Sequence, residues 1–190
     1  MNIIEAIENY QPYNLQEEKD RKNILDYLNR YENAFDRSNE LAHMTASAWV
    51  VNGTKDKVLM AYHRIYDSWA WLGGHCDGDR DCLNVALREV REETGVKNVR
   101  PVSDEIFSLE ILTVDSHIRR GEYVPTHLHL NVTYLLEADE NDVLSIKEDE
   151  NSGAAWFKLD EALQMSNEKW FRENIYAKLN NKLRRIYEID

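Results

Sequence analysis

Apolar residues recur at helical spacing in two sections of this chain, one at each end. They stand every three or four positions among charged residues up to about residue 40 and again from about residue 159. This spacing places them on one face of an α-helix, which turns once every ~3.6 residues. Pro12 separates a short leading helix from a longer one. The predicted apolar stripes consist of Leu15, Ile24, Leu25, Leu28 and Tyr31 in the first section, and of Trp170, Phe171, Ile175, Leu179, Leu183 and Ile186 in the last.

The middle section, from about residue 43 to residue 157, carries β-strand patterns. Runs rich in β-branched and aromatic residues predict strands at 48–51, 58–62 and 106–112. Asn52-Gly53 lies between the first two runs and predicts a hairpin turn. The order of elements is therefore that of an α/β protein with helices at both ends.

Residues 126–136 show the clearest strand pattern in the chain. Because successive side chains of a strand point to opposite faces, this run has one polar and one apolar face. The polar face suits a pocket for a phosphate or a nucleobase, and it equally suits a strand packed under a helix with its hydrogen bonds satisfied. No Cys or acidic residue stands nearby at zinc-ligand spacing, so the sequence does not predict zinc here. The polar face consists of His127, His129, Asn131 and Thr133.

A helix predicted shortly after Gly73-Gly74 carries a cluster of acids. Glu89, Glu92 and Glu93 stand three or four positions apart and so share one face. Three carboxylates repel one another, and helix stability does not require them together. Hard divalent cations take oxygen ligands and bridge to substrate phosphates, so the cluster favours a metal-phosphate site over a merely solvated acidic face. The apolar stripe that anchors this helix is predicted to be Leu83, Leu87 and Val90.

The segment from Gly74 to Val96 resembles the Nudix box of the diphosphate hydrolases. An arginine, three acids, a glycine and an apolar residue follow the glycine pair at the family's offsets, and one position departs, where Arg80 replaces the usual Glu. The resemblance implies a hydrolase that cleaves a diphosphate linkage in a nucleoside diphosphate linked to another moiety. It also implies Mg²⁺ or Mn²⁺ as the cofactor.

The resemblance further implies an α/β/α sandwich with a mixed sheet, in which the box forms a loop-helix-loop between strands. We expect this Nudix domain to occupy residues 41–160. A helical N-terminal extension would precede it over residues 1–40, and a C-terminal helix over residues 161–190 would pack on it.

The match to the box implies roles for its residues. Glu92, Glu93 or, outside the box, Glu150 would accept a proton from the attacking water. Glu150 is chosen because many Nudix enzymes carry an acid before a comparable aromatic strand; Glu148 is second, and a charged turn would look the same. The metal-site residues would be Glu89, Glu92, Glu93 and Gly74, with Gly73, Arg88 and Gly95 as structural residues of the box.

Substrate contacts are predicted outside the box. Arg64 stands at a strand end ahead of Gly73-Gly74, where the family often has a basic residue near the phosphates, although a surface arginine would look the same. His129 and Asn131 are the candidates on the polar strand face. Trp69 and Trp71 are expected in the core, with stacking on a nucleobase as the alternative.

Composition narrows the partners and the compartment. Asp and Glu number 35 against 23 Lys and Arg, a net charge of −12, which argues against nucleic acid or an anionic membrane as the partner. The start lacks the basic and apolar regions of a signal peptide, so a cytoplasmic enzyme with a small-molecule nucleotide substrate is expected. Two cysteines, Cys76 and Cys82, make no disulfide framework.

The apolar stripes of the two helical sections need burial against the sandwich or against a second subunit. We therefore expect a homodimer.

Two other functions share this fold. A non-catalytic Nudix-fold sensor that binds a nucleotide is compatible with Arg80, but it has little need for three adjacent acids. An isopentenyl diphosphate isomerase would need a catalytic cysteine and a different box, and Cys76 is a poor substitute. The sequence therefore favours the hydrolase.

Arg80 itself bears on the metal site. An arginine cannot ligate a metal, and it places positive charge near Arg88. Asp79 is the nearest acid that could supply the missing carboxylate, with Asp77 and Asp81 also flanking Arg80. A working but weaker metal site is expected.

Overall fold

The structure is a computed structural model that describes residues 2–64, 67–119, 121–146 and 151–188. The helices are α1 (Ile3–Asn9), α2 (Leu15–Leu28), α3 (Cys82–Thr94), α4 (Leu159–Met165), α5 (Lys169–Phe171) and α6 (Ala177–Tyr187), with a π-helical turn at Arg172–Tyr176 before α6. The strands are β1 (Ala42–Val51), β2 (Lys57–His63), β3 (Ser68–Ala70), β4 (Leu72–His75), β5 (Val99–Pro101), β6 (Ser108–Val114), β7 (His117–Arg119), β8 (Glu122–Val124), β9 (His127–Ala138) and β10 (Asn151–Lys158).

Eight strands form one sheet in the order β10-β2-β1-β9-β5, with β3 on β2, β4 on β1 and β6 on β9. Strands β7 and β8 form a separate antiparallel pair. The mixed α/β fold with a mixed sheet is thereby confirmed, and α3 stands between β4 and β5 as the box requires. Within the described ranges, no helix is long and apolar enough to cross a membrane.

The predicted hairpin between β1 and β2 is present, but its turn is wider than two residues. The Asn52 N–H donates to the Lys57 carbonyl over 3.2 Å. The Asn52 side-chain oxygen accepts the N–H groups of Asp56 and Lys57, each over 3.1 Å. An asparagine that bonds its own loop therefore replaces the two-residue turn.

Side-chain caps set the starts of α1, α2 and α3. Asn2 accepts the Glu5 N–H over 3.0 Å, and Glu5 accepts the Asn2 N–H in return over 3.2 Å, which is a capping box. Asn14 and Asp81 each accept the N–H three positions on, also over 3.0 Å, at the starts of α2 and α3. Each cap satisfies a backbone donor that the first helical turn leaves free.

The chain divides into two compact units. The first comprises the chain up to Ser47 together with Gly73–Ala86 and Asp104–Tyr134. The second comprises Ala48–Leu72, Leu87–Ser103 and the chain from Leu135 onward. Strands β1 and β9 and helix α3 each contribute residues to both units.

In the first unit, the stripe predicted on α2 is narrower than expected. Ile24 and Leu28 are buried as predicted. The prediction is wrong for Leu15 and Tyr31, which are 66% and 43% exposed. Both residues stand at the margins of the stripe, Leu15 in the first turn of α2 and Tyr31 beyond its end.

In the second unit, the C-terminal stripe is interrupted. Ile175, Leu179 and Leu183 are fully buried, while Trp170 and Ile186 at its two ends are exposed. A single α-helix was predicted, but the π-helical turn at Arg172–Tyr176 changes the angular position of the residues on either side of it. The stripe therefore leaves the buried face at its ends.

Candidate functional site

Helix α3 carries the box acids, and local chemistry sets its C-terminal end. Gly95 has a φ of +70°, and its N–H donates to the Arg91 carbonyl over 2.9 Å. A Cβ at Gly95 would collide with the Ser145 side chain. Glycine is therefore required for the left-handed conformation that ends the helix and for the close approach of Ser145, as its predicted structural role implies.

The apolar face of α3 differs from the predicted stripe. Val90 is fully buried, but Leu83 and Leu87 are only half-buried. The fully buried positions before Val90 are Cys82, Val85 and Ala86. The sequence periodicity predicted the helix correctly. The centre of its buried face, however, lies part of a turn away from the predicted stripe.

The three box acids are in different environments. The Glu93 side chain is 3% exposed, that of Glu89 is 15% exposed and that of Glu92 is 47% exposed. An Arg88 guanidinium nitrogen lies 3.6 Å from a Glu89 oxygen, and another lies 4.0 Å from a Glu92 oxygen. Arg88, predicted as a structural residue of the box, thus contacts two of the three acids.

His63 was missed by the sequence reasoning. It is the last residue of β2, and its Nε2 lies 3.9 Å from a Glu93 carboxylate oxygen. The sequence candidate was its neighbour Arg64, which is exposed just beyond the strand. The signal that could have indicated His63 is its place at a strand end directly before a basic residue.

The glycine pair ahead of the box lies on β4. Gly73 has a φ of +154°, and a Cβ there would stand 2.5 Å from the Ala46 carbonyl oxygen and 2.6 Å from the Ser47 Cα. Strand β4 thus approaches β1 so closely that only glycine fits. Gly74 is half-buried on the same strand.

The loop between β4 and α3 gives Arg80 a local partner. Its guanidinium stands over the buried Phe35 ring, 4.8 Å from the centroid. Asp77 accepts two hydrogen bonds from Arg37, each over 2.6 Å. Asp79 accepts the Asp81 N–H over 2.9 Å. Arg80 and the acids that flank it therefore have structural contacts of their own.

The polar face of β9 has two parts, and the first is a buried network around Asn131. Its side-chain oxygen accepts the Thr45 and Ser47 hydroxyls, each over 2.9 Å. Its amide nitrogen donates to Glu110 and Thr133, each over 3.1 Å. Asn131 is fully buried. The sequence alternative of a polar face with its hydrogen bonds satisfied describes this part of β9.

The second part is a cluster of four histidines. The Nε2 atom of His129 lies 3.2 Å from the Nε2 atoms of both His75 and His127. The ring of His43, the second residue of β1, stands 5.0–5.1 Å from the other three by ring centroids. The sequence reasoning named the two histidines of β9, gave His75 no role and missed His43. The signal for His43 is the matching polar alternation of β1.

Burial controls protonation in this histidine cluster. Burial, followed by repulsion from His75, His43 and His127, lowers the pKa of His129 to about 2. Burial also lowers the pKa of His43. Both rings are therefore neutral near neutral pH and offer a nitrogen lone pair each.

The two cysteines near the box were expected to make no disulfide framework. Cys76 and Cys82 are buried free thiols with their sulfurs 3.7 Å apart. A hydrogen bond with Cys76 and burial raise the pKa of Cys82, which keeps this thiol protonated.

The remaining predictions concern two acids before β10 and two tryptophans. Glu150 and Glu148 lie outside the described residues. Trp71 is buried as predicted, and Trp69 is half-buried against Phe157, with 4.8 Å between ring centroids.

Solved structures of several hydrolases share this fold. An Ap4A hydrolase from C. elegans, solved as a binary complex, has a TM-score of 0.52 at 17% identity over 76% of this chain and 95% of its own. A NUDIX-family hydrolase from Clostridium perfringens has a TM-score of 0.50 at 22% identity over 76% of this chain and 97% of its own. The E. coli dihydroneopterin triphosphate pyrophosphohydrolase has a TM-score of 0.51 at 16% identity over 73% of this chain and 95% of its own.

No curated protein sequence matches this chain significantly. The sequence profile of the NUDIX domain matches residues 41–179, which contain the whole box and most of the described strands and helices. The match extends into α6. The chain therefore belongs to the NUDIX family, the diphosphate hydrolases whose box its sequence resembles.

Proposed function

We propose that this protein is a Mg²⁺- or Mn²⁺-dependent hydrolase that cleaves a diphosphate linkage in a nucleoside diphosphate linked to another moiety. One observation carries the proposal: Glu89, Glu92 and Glu93 all stand on α3, and Arg88 lies within 4.0 Å of two of them. Such a cluster costs electrostatic energy that a bound cation would recover.

The donor set fits a hard divalent cation. Carboxylate oxygens are the ligands that Mg²⁺ and Mn²⁺ prefer, and α3 carries three carboxylates. We propose Glu89, Glu92 and Glu93 as the ligands; Gly74 stays a prediction that follows from the resemblance to the box. When bound, the ion would neutralise the oxygens of the diphosphate and make water a better nucleophile.

The proton of the attacking water needs a carboxylate that water can reach. Glu92, with a side chain 47% exposed, meets this requirement best, so we propose it as the general base. Glu93, buried beside His63, and Glu150, before β10, are the alternatives. His63 would position the Glu93 carboxylate through their 3.9 Å contact.

The proposed substrate contacts differ in strength. Arg64 is exposed just beyond the end of β2, where its guanidinium could meet phosphate oxygens. Asn131 and His129 stay predictions as substrate ligands, but the hydrogen bonds of Asn131 and the histidine cluster around His129 favour other roles. Structural relatives named for Ap4A and for dihydroneopterin triphosphate are compatible with a small phosphorylated substrate.

A substrate screen tests the proposal. The purified chain is incubated with a panel of nucleoside diphosphate derivatives, with Mg²⁺, with Mn²⁺ or with a chelator, and phosphate is measured after a coupled phosphatase step. We expect metal-dependent release from at least one compound. Glu92→Gln and Glu93→Gln should each lower kcat by about two orders of magnitude, because each loses a ligand or base worth several kcal/mol in the transition state.

The control is Glu18→Gln, an exposed glutamate on α2, which should leave kcat unchanged. A kcat equal to that of the wild type in both box variants would show that the acid cluster takes no part in catalysis. Tight nucleotide binding with no phosphate release by the wild type would instead identify a non-catalytic sensor.

We further propose that the enzyme is a homodimer, the commonest assembly of soluble oligomers. The apolar stripes do not demand a second subunit, since Ile24, Leu179 and Leu183 are buried within one chain. Sedimentation equilibrium tests the assembly, and a monomer at every concentration would contradict it.

A further inference from the structure

We propose that His43, His75, His127 and His129 form a closed binding site for one divalent transition-metal ion, with Zn²⁺ as the ion of best fit. One ring nitrogen from each histidine lies within 4.8 Å of those of the other three. The site is separate in chemistry from the box acids, since imidazole favours zinc and related ions whereas carboxylate clusters favour Mg²⁺.

Backbone carbonyls orient two of these rings, so that an unprotonated ring nitrogen of each is available to the cluster. His43 Nδ1 lies 3.0 Å from the Asn39 carbonyl oxygen, and His127 Nδ1 lies 2.8 Å from the Pro125 carbonyl oxygen. A carbonyl only accepts, so Nδ1 carries the hydrogen in each ring, and in the neutral tautomer Nε2 then carries the lone pair. Metal-binding histidines show the same arrangement, in which a carbonyl or carboxylate holds the second ring nitrogen.

The carbonyl behind His43 is itself held in place. Asn39 accepts the Tyr27 hydroxyl over 2.8 Å and donates to the Asn33 side chain over 3.2 Å. Asn39 and His43 are both buried. The orientation of the His43 ring is therefore built into the fold.

Two Nε2 atoms of the cluster, those of His43 and His129, are in positions that favour a bound ion. His43 Nε2 is buried and has no hydrogen-bond partner among the described residues. His129 Nε2 faces two other Nε2 atoms at 3.2 Å, and one ring N–H cannot point along both contacts. An unsatisfied buried nitrogen is costly, whereas a cation would use every one of these lone pairs.

The spacing also suits a tetrahedral ion. With Zn–N bonds near 2.05 Å, neighbouring ligand nitrogens of a tetrahedral site lie about 3.3 Å apart. The two contacts at His129 already have this length, at 3.2 Å each. The wider separations, up to 4.8 Å, would close as the ion draws the rings inward.

Four protein ligands leave no open position, so the ion would stabilise the fold and would not act on substrate. The ligands come from the start of β1, the end of β4 and the start of β9. The ion would thus join three strands at one point, and Zn²⁺ binding should raise the melting temperature.

The test uses the full chain, stripped of metal by a chelator and kept in excess Mg²⁺ to occupy the box acids. Zn²⁺ is added, unbound metal is removed by gel filtration, and the retained ion is counted by mass spectrometry. We expect one Zn²⁺ per chain. His75→Asn and His43→Gln should each weaken Zn²⁺ binding by about 100-fold or more, since loss of even an outer contact costs ~10–100-fold.

Two controls separate this site from others. His117→Asn removes a half-buried histidine outside the cluster, and Glu93→Gln removes a box acid; both should keep the Zn²⁺. Co²⁺ bound to the unmodified chain provides a second readout that needs no variant, because X-ray absorption counts its imidazole ligands. Four imidazoles are expected. Absence of retained Zn²⁺, retention in both cluster variants, loss in Glu93→Gln or a Co²⁺ shell of oxygens would each overturn the proposal.

Discussion

A single side chain, the amide of Asn131, connects polar residues of three strands. It uses both lone pairs of its oxygen and both N–H groups of its nitrogen, and it is fully buried. One of its partners is Glu110, a carboxylate that is also fully buried. A buried amide of this kind has one orientation, so it specifies the register of the strands it joins.

Asn131→Asp should destabilise the protein strongly. The new carboxylate cannot donate to Glu110 or Thr133, and it would place a second negative charge beside a buried one. We expect the free energy of unfolding in urea to fall by about 3–5 kcal/mol. Asn23→Asp, at an exposed position of α2, is the matched control and should change it by less than about 0.5 kcal/mol. Equal stability of the two variants would contradict the role assigned to Asn131.

Arg80→Glu separates two effects at one position. Loss of the guanidinium over Phe35 should lower the free energy of unfolding by about 0.5–1 kcal/mol. The restored acid should tighten Mg²⁺ binding, measured by calorimetry, whereas Arg80→Ala should lose the same stability without any gain in Mg²⁺ affinity. If Arg80→Glu leaves the affinity unchanged and Asp79→Asn also does nothing, the position lies outside the reach of the metal.

At the scale of elements, α3 is defined by its two ends and by the side chains between them. Asp81 caps its first turn, Gly95 ends it in a left-handed conformation, and the acids stand between. Correct placement of the acids depends on both ends, since a shift of one residue rotates a helix by about 100°.

Gly95→Ala tests the C-terminal end of α3. The left-handed conformation costs a residue with a Cβ about 1–2 kcal/mol, and displacement of the Ser145 side chain adds to that. The free energy of unfolding should therefore fall by at least this amount. Gly53→Ala is the control, because a Cβ there would meet nothing within 4 Å. A similar loss in both variants would show that the cost arises elsewhere.

At the scale of the whole molecule, side chains of the N-terminal helical section form hydrogen bonds with the backbone of β6 and of the residue before it. The Tyr10 hydroxyl donates to the Phe107 carbonyl over 3.2 Å, and the Gln16 amide donates to the Leu109 carbonyl over 2.9 Å. Asp20 accepts the Ile111 N–H over 2.9 Å. The helical section thus satisfies backbone groups that would otherwise remain open to another strand.

Removal of residues 1–40 should therefore expose β6. We expect the truncated chain to aggregate or to melt at a lower temperature, as measured by light scattering and circular dichroism. Gln16→Ala combined with Asp20→Ala should show a weaker form of the same defect in the full chain. Unchanged solubility and melting temperature after truncation would contradict this prediction.

High pH should destabilise the folded chain. Burial raises the pKa of Tyr10, Tyr134 and Tyr176, and Glu17 raises that of Tyr10 further. The unfolded chain releases these protons from about pH 10, while the folded chain retains them, so stability present below pH 10 is lost as the pH rises. Tyr10→Phe should reduce the slope of the free energy of unfolding against pH, measured by urea denaturation above pH 10, by up to about 1.4 kcal/mol per pH unit. Tyr123→Phe, at an exposed position, should leave the slope unchanged.

The sequence by itself determined the box helix, the succession of strands along the chain and the polar face of β9. These features depend on residues three or four apart on a helix, or two apart on a strand, and backbone geometry alone converts such spacing into a shared face. The asymmetry among the box acids was not predictable, because the burial of Glu93 and the contact with His63 depend on what packs against α3.

Only the tertiary structure decided the histidine cluster. His43 and His75 are distant in sequence from the histidines of β9, and no local pattern connects them. They meet because β4 pairs with β1 and β1 neighbours β9 in the sheet. Residue spacing fixes which side chains share a face, whereas the order of strands in the sheet fixes which faces meet.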